Sequence, residues 1–314
     1  MKKLIALFLG LTVLSCSSED QLNQDGVSSV DTSASVLDGK VLSFKTEESF
    51  VKEYSDLAVL NSDELKNWIS SKKLISLFNT SNSSEGIEED NVPESRVVYS
   101  NALKAVLNSD SKVKIAGKTL WLNEFTFYLL SAEDQNKSSE ELLQVKNDLP
   151  IYGQLAALSK STQSLTGRNV LPNENRVKTF ASAEITVSGG RLRHVIDLFN
   201  ETIVLNDKIY TSKMYLRTIL QYRSCSTWRC TWKEAQNLRT LNSYFCENCN
   251  SLAWGGIERI STTSAVSGTQ TYLLASWREL PPPYITVYPN FFISGQFTCG
   301  VVGGGSFSAD LSWY

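Results

Sequence analysis

Five cysteines fall in the last third of this 314-residue chain, Cys225, Cys230, Cys246, Cys249 and Cys299, and they are its first candidates for chemistry. The first four are spaced C-x4-C-x15-C-x2-C, which suits a four-thiolate zinc site and equally suits two disulfides, so the compartment decides between them. Histidine argues by subtraction. The chain has one, His194, so catalytic triads and multi-histidine metal centres are out unless His194 serves alone; between Arg193 and Val195 it reads as structural. Glycoside hydrolysis needs only two carboxylates, and 33 acidic residues supply many, yet no spacing among them singles out a pair. Gly303–Gly305 lacks the Gly-Lys-Ser/Thr of a phosphate loop, and Glu88–Asp90 lacks the alternating oxygens and turn glycine of a calcium loop. No catalytic residue, metal or cofactor is therefore assigned. Aromatic residues carry the positive hint: Trp228, Trp232, Trp254 and Trp277 would stack on sugar rings where they face solvent, and are core where they face inward.

The amino terminus sets the compartment. Met1-Lys2-Lys3 is followed by an apolar run from Leu4 to Leu14 and then by Ser15-Cys16. Eleven residues rise about 16 Å as a helix, roughly half of a bilayer core, which makes this an export signal and not a membrane span. Val13-Leu14-Ser15-Cys16 resembles the bacterial lipobox, and that resemblance implies cleavage after Ser15 and lipidation of Cys16, which would attach the mature chain to the membrane. Ser17-Ser18-Glu19-Asp20 is similar to the surface-export signal of Bacteroidota lipoproteins and reads equally well as the start of a flexible tether. With no Asp directly after Cys16, the resemblance implies an outer-membrane lipoprotein, exposed at the cell surface if that signal operates. Loss of Lys2 and Lys3 takes the formal charge from −3 to −5, which leaves no basic footprint for nucleic acid.

An exported chain meets an oxidising compartment, where disulfides are favoured over thiolate zinc. If residues 222–231 are extended, Cys225 and Cys230 stand about 17 Å apart, beyond the roughly 7 Å Cα reach of a bridge. A hairpin centred near Asn237 instead opposes Cys225 with Cys249 and Cys230 with Cys246, one bulge absorbing the mismatch. Closure of Cys246–Cys249 into its own small ring is the competing option. Cys299 is left as a buried thiol.

The elements that must position these residues divide the chain into a signal peptide (1–15), a flexible tether (16–38), an α+β region (39–180) and an antiparallel β-sandwich-like domain (181–314). In the first half, Val41–Phe44 reads as a strand. Thr46 caps a helix whose inner face is Phe50, Val51, Tyr54, Leu57 and Ala58, and a second helix starts near Asn61 and buries Leu65, Trp68 and Ile69. A helix around Ser100–Leu107, a hairpin over 112–121 turning at Ala116-Gly117, and a helix capped by Ser138 follow. Strands are expected at 184–187, 214–223, 271–277, 285–288, 296–302 and 306–314, and residues 191–206 fit either period but lie among strands. The fold class is thus α+β, a mixed helix and hairpin region followed by a β-sandwich-like domain.

Leu42-Ser43-Phe44-Lys45-Thr46-Glu47-Glu48-Ser49-Phe50, the helix ending in Leu74-Ile75-Ser76-Leu77-Phe78, and Ala102–Asn108 with the hairpin after it together resemble uncharacterised lipoproteins of gut Bacteroidota over residues 40–125. The resemblance implies a location and transfers no catalytic residue. The function read from the chain is therefore binding, of a glycan or a protein at the cell envelope, by a lipid-anchored protein. A carboxylate-based polysaccharide hydrolase and a structural envelope lipoprotein are the alternatives.

Overall fold

The computed structural model describes residues 35–80, 96–156, 176–247, 256–261, 265–278, 291 and 293–313, with the backbone alone for 244–247, 256–261 and 278. The export signal, Cys16, most of the tether, the acidic loop, the strand expected at 285–288, Cys249 and Trp254 lie outside the described residues.

Local signals are obeyed closely in the first half. Strand β1 (Ser35–Asp38), at the end of the stretch read as tether, turns into β2 (Val41–Phe44). Helix α1 (Glu47–Leu57) begins where the Thr46 hydroxyl accepts from the Ser49 amide at 3.1 Å, with Glu47 and Glu48 in the positive first turn. Helix α2 (Ser62–Lys72) is closed by a reciprocal pair, the Asn61 side chain taking the Glu64 amide at 3.0 Å and the Glu64 carboxylate taking the Asn61 amide at 2.8 Å. Two short helices follow, α3 (Leu77–Thr80) and α4 (Asn101–Val106), the latter capped by Ser100. Strands β3 (Lys112–Ile115) and β4 (Lys118–Asn123) join through Ala116-Gly117, both at positive φ (49° and 78°), as a two-residue hairpin of right-handed twist requires. Then come β5 (Thr126–Leu129), α5 (Ser139–Val145) capped by Ser138, and β6 (Ile151–Ala156).

The α+β expectation is overturned: strand makes up 51% and helix 20%, so the protein is mostly β, built on a mixed sheet. Strands from both halves of the chain share one twelve-stranded sheet. After β7 (Val177–Ala181) and β8 (Ile185–Val187), two long strands, β9 (Gly190–Leu205) and β10 (Lys208–Cys225), form its centre, followed by β11 (Cys230–Glu234). The path runs β1-β2-β3-β4-β5-β6-β9-β10-β11, with β7 and β8 also on β9; β2 and β3 are parallel and the other pairs antiparallel. The helices are at most 11 residues long and form a cover for this sheet, not a region of their own. A second, four-stranded sheet takes β12 (Arg239–Glu247), β13 (Gly256–Ser261), β15 (Ile293–Val301) and β16 (Ser306–Trp313), while β14 (Gln270–Arg278) pairs with β10.

The β9–β10 hairpin is buried on both faces, which explains why residues 191–206 gave no clean period. One face meets the helices, where Phe50, Tyr54, Leu57, Leu103 and Leu107 pack with Ile203 and Leu205. The opposite face carries Leu192, Ile196, Leu198, Leu216 and Leu220 against Phe297, Phe307, Leu311 and Trp313 of the second sheet. Each such side chain contributes about 1.5–3 kcal/mol of burial. At one point of the join between the two halves the strands approach so closely that only glycine fits. Gly153 pairs with Leu205, and any Cβ there would lie 2.4 Å from the Val204 carbonyl oxygen.

Candidate functional site

The hairpin of β10 and β11 ends in the most exposed large apolar side chain among the described residues. Its last registered pair is Cys225 with Cys230, and these two form a disulfide. Between them, Ser226 to Arg229 turns tightly: the Ser226 amide donates to the Arg229 carbonyl at 2.8 Å, and the Arg229 amide donates to the Ser226 hydroxyl at 3.2 Å. Trp228, at the tip, is 95% exposed, and Ser226, Thr227 and Arg229 beside it are exposed as well. The pairing Cys225–Cys249 with Cys230–Cys246 is thereby corrected. It rested on residues 222–231 being extended, whereas the chain reverses at Ser226–Arg229 and brings together the two cysteines that an extended strand would separate. Cys246 lies in β12 and Cys299 is a buried free thiol.

Directly behind the loop, Trp232 is 1% exposed and carries the Arg193 guanidinium 4.3 Å from its ring centroid and that of Arg223 at 5.9 Å. Cation–π contact of this kind stiffens the base of the hairpin. Arg193 also donates to Gln221 at 2.9 Å, which begins a buried ladder along one face of β9 and β10. Its charged or polar rungs are Arg193 with Gln221, Asp197 with Arg217, and Glu201 with Lys213, alternating with the rungs Val195–Ile219 and Phe199–Tyr215. Asp197 accepts from Arg217 Nε at 2.9 Å, from Thr179 at 2.8 Å, and from Arg96. Glu201 accepts from the Ser100 amide at 2.6 Å and the Tyr54 hydroxyl at 2.8 Å, with Arg176 at 3.8 Å. Burial pushes both the Tyr54 and Tyr215 phenols far up and pulls Lys213 down to about 8.

Of the remaining tryptophans named from sequence, Trp277 is half-buried beside the second-sheet core and Trp232 is buried, so neither shares a surface with Trp228. His194 is fully buried and stacked on Phe297 at 5.1 Å. The ladder was missed in the sequence although its signal is there. Arg193, Asp197 and Glu201 repeat every four residues, Lys213, Arg217 and Gln221 do the same, and the two sets are mirror images about Asp207. In a strand, spacing of four keeps side chains on one face. These carboxylates do not make a hydrolase centre. Asp197 and Glu201 are about 13 Å apart along β9, beyond the 6.5–9.5 Å of an inverting pair, and both are held by buried arginines. Among the described residues, no group of three His, Cys, Asp or Glu side chains could hold a metal ion.

No protein-family model and no curated protein matches the chain. A DUF4848 family protein from Bacteroides thetaiotaomicron is a distant structural neighbour, 12% identical, with 88% of this chain and 98% of that chain covered and a TM-score of 0.21. Similarity at that level transfers neither fold nor function. Among the described residues, no helix is long and apolar enough to cross a membrane.

Proposed function

We propose that this is a cell-envelope binding protein, held by lipid on Cys16, that engages a protein partner through the Cys225–Cys230 loop. The observation that carries the reading is Trp228, 95% exposed at the end of a covalently closed turn. Exposing an indole to water is unfavourable unless another surface covers it, and Trp with Arg, here Trp228 and Arg229, dominates the energetics of protein interfaces. A loop already fixed by a disulfide and a buried Trp232 loses little freedom on binding. The disulfide is itself the chemistry of an oxidising compartment, in keeping with export. A single projecting ring is convex and fits a pocket in a partner.

A glycan is the second reading, favoured by the same open indole face. The test places a photo-crosslinking phenylalanine analogue at position 228 in cells, with position 66 on the exposed face of α2 as control, alongside a glycan panel on the purified protein. Protein adducts at 228 and not at 66 support the proposal. Glycan binding that Trp228→Ala abolishes would replace it with the second reading, and no adduct with no glycan would defeat both.

A further inference from the structure

The disulfide-closed hairpin carries charge as well as an exposed ring. Residues 222–233 hold Arg223, Arg229 and Lys233 and no Asp or Glu, in a chain whose formal charge is −3. Arg223 lies over the Trp232 ring, 5.9 Å from its centroid. Arg229 and Lys233 are exposed and make no ion pair among the described residues. The next acid along the chain, Glu234, does not offset them. Side chains alternate across a strand, so Glu234 points to the opposite face of β11 from Lys233, and its carboxylate accepts from Thr269 at 2.9 Å.

Strand pairing shows which flank of the hairpin is open. Tyr222 stands opposite Lys233, three rungs behind Cys225 and Cys230. Antiparallel partners share a face, and both of these are open to solvent, Tyr222 at 40%. Three rungs are roughly 10 Å of strand, so an aromatic ring and a cation recur well behind Trp228 and Arg229 at the tip. A cleft covers tip and flank together, whereas a flat bilayer met by the tip leaves the flank in water. Exposed ion pairs add only about 0.2–1 kcal/mol each, and charges at the rim of an interface act chiefly on association rate and orientation. Outside this segment the chain carries a net negative charge, so an acidic surface is repelled elsewhere and drawn to this end.

We propose that the Cys225–Cys230 loop docks into an acidic protein cleft, an apolar pocket for Trp228 rimmed by Asp and Glu carboxylates that meet Arg229 and Lys233. The proposal rests on the reading of this loop as a protein-binding element and adds the chemistry of the partner. The indole supplies affinity, and the two cations supply approach and register.

The test uses the protein caught by the position-228 crosslink, with association and dissociation rates measured by surface plasmon resonance over a range of sodium chloride. The wild-type association rate should fall roughly tenfold or more from low to high salt. A double variant, Arg229→Glu with Lys233→Glu, changes only exposed side chains and keeps the disulfide. At low salt it should associate roughly tenfold or more slowly, with a much smaller change in dissociation rate. In envelope suspensions of wild-type cells, a zero-length carbodiimide should join the Lys233 amine to an Asp or Glu of that same partner, an amide link read by peptide mass spectrometry without any variant. Association rates that are equal in the two proteins and independent of salt would overturn the acidic cleft and leave the protein-binding reading in place. No adduct at position 228, together with binding of the chain made without its lipid to phosphatidylethanolamine–phosphatidylglycerol vesicles that the double variant loses, would overturn both and make the occupant an anionic membrane.

Discussion

Replacing Asp197 with Asn keeps the volume of the side chain and takes its charge from between two arginines. Asp197 is fully buried, and it meets Arg217 Nε and Nη2 at 2.9 Å and Thr179 at 2.8 Å, with Arg96 on the other oxygen. The substitution leaves Arg96, 7% exposed, and Arg217, 2% exposed, without their shared opposite charge. Removing one partner from a buried ion pair costs about 3–5 kcal/mol. At about 2–4 °C per kcal/mol for a unit of this size, the unfolding midpoint should fall by roughly 6–20 °C. Thermal and denaturant unfolding, followed by circular dichroism at neutral pH with the disulfide intact, measures both numbers. Adding Arg217→Met should restore part of the loss, because the double variant has one fewer stranded charge. A loss below about 1 kcal/mol would refute the argument that the ladder holds the central hairpin.

Three further outcomes follow from the geometry. Gly153→Ala drives a Cβ to 2.4 Å from the Val204 carbonyl and should cost about 1–3 kcal/mol in denaturant unfolding, where an unchanged midpoint would mean the β6–β9 junction yields easily. Opening the six-residue ring with Cys225→Ser and Cys230→Ser removes about 2 kcal/mol of loop-closure entropy, read by unfolding; the same variant should weaken any contact made by Trp228. Lys213, held by burial at about 8, is depressed below an ordinary lysine near 10.4. Between those values the unfolded chain binds a proton that the folded chain has lost, so Lys213 raises stability from about pH 8 by up to about 1.4 kcal/mol per unit, until about pH 8.5, where the unfolded Cys299 thiol titrates while burial holds the folded one at about 11 and offsets the rise. Lys213→Met should flatten that slope, measured by denaturant unfolding across the window.

Sequence reading succeeded where the signal is local. The Thr46 and Ser138 caps each open a helix, helices start near Asn61 and Ser100 where they are expected, Ala116-Gly117 makes its turn, and β16 forms within the expected 306–314. It failed where partners are distant. That β6 adds to β9 through Gly153 and Leu205 is a pairing across 52 positions that no local period announces, and it turns an apparent helix and hairpin region into part of one sheet. The cysteine pairing failed for the opposite reason. An assumption of extension over residues 222–231 overrode a Ser226–Arg229 turn that polar residues and a hydroxyl were able to close. At the site, Trp228 was named together with three other tryptophans, since exposure is a property of the fold and not of residue type.

Affinity for whichever envelope protein the position-228 crosslink captures tests the central claim most directly. The purified mature protein and its Trp228→Ala variant, both confirmed as folded and disulfide-bonded, are titrated by calorimetry against that partner. A hot-spot tryptophan is worth at least about 2 kcal/mol, so the variant should bind roughly 30-fold more weakly or not at all. Equal affinity of the two proteins would contradict the account, and would leave Trp228 as an exposed ring with no partner.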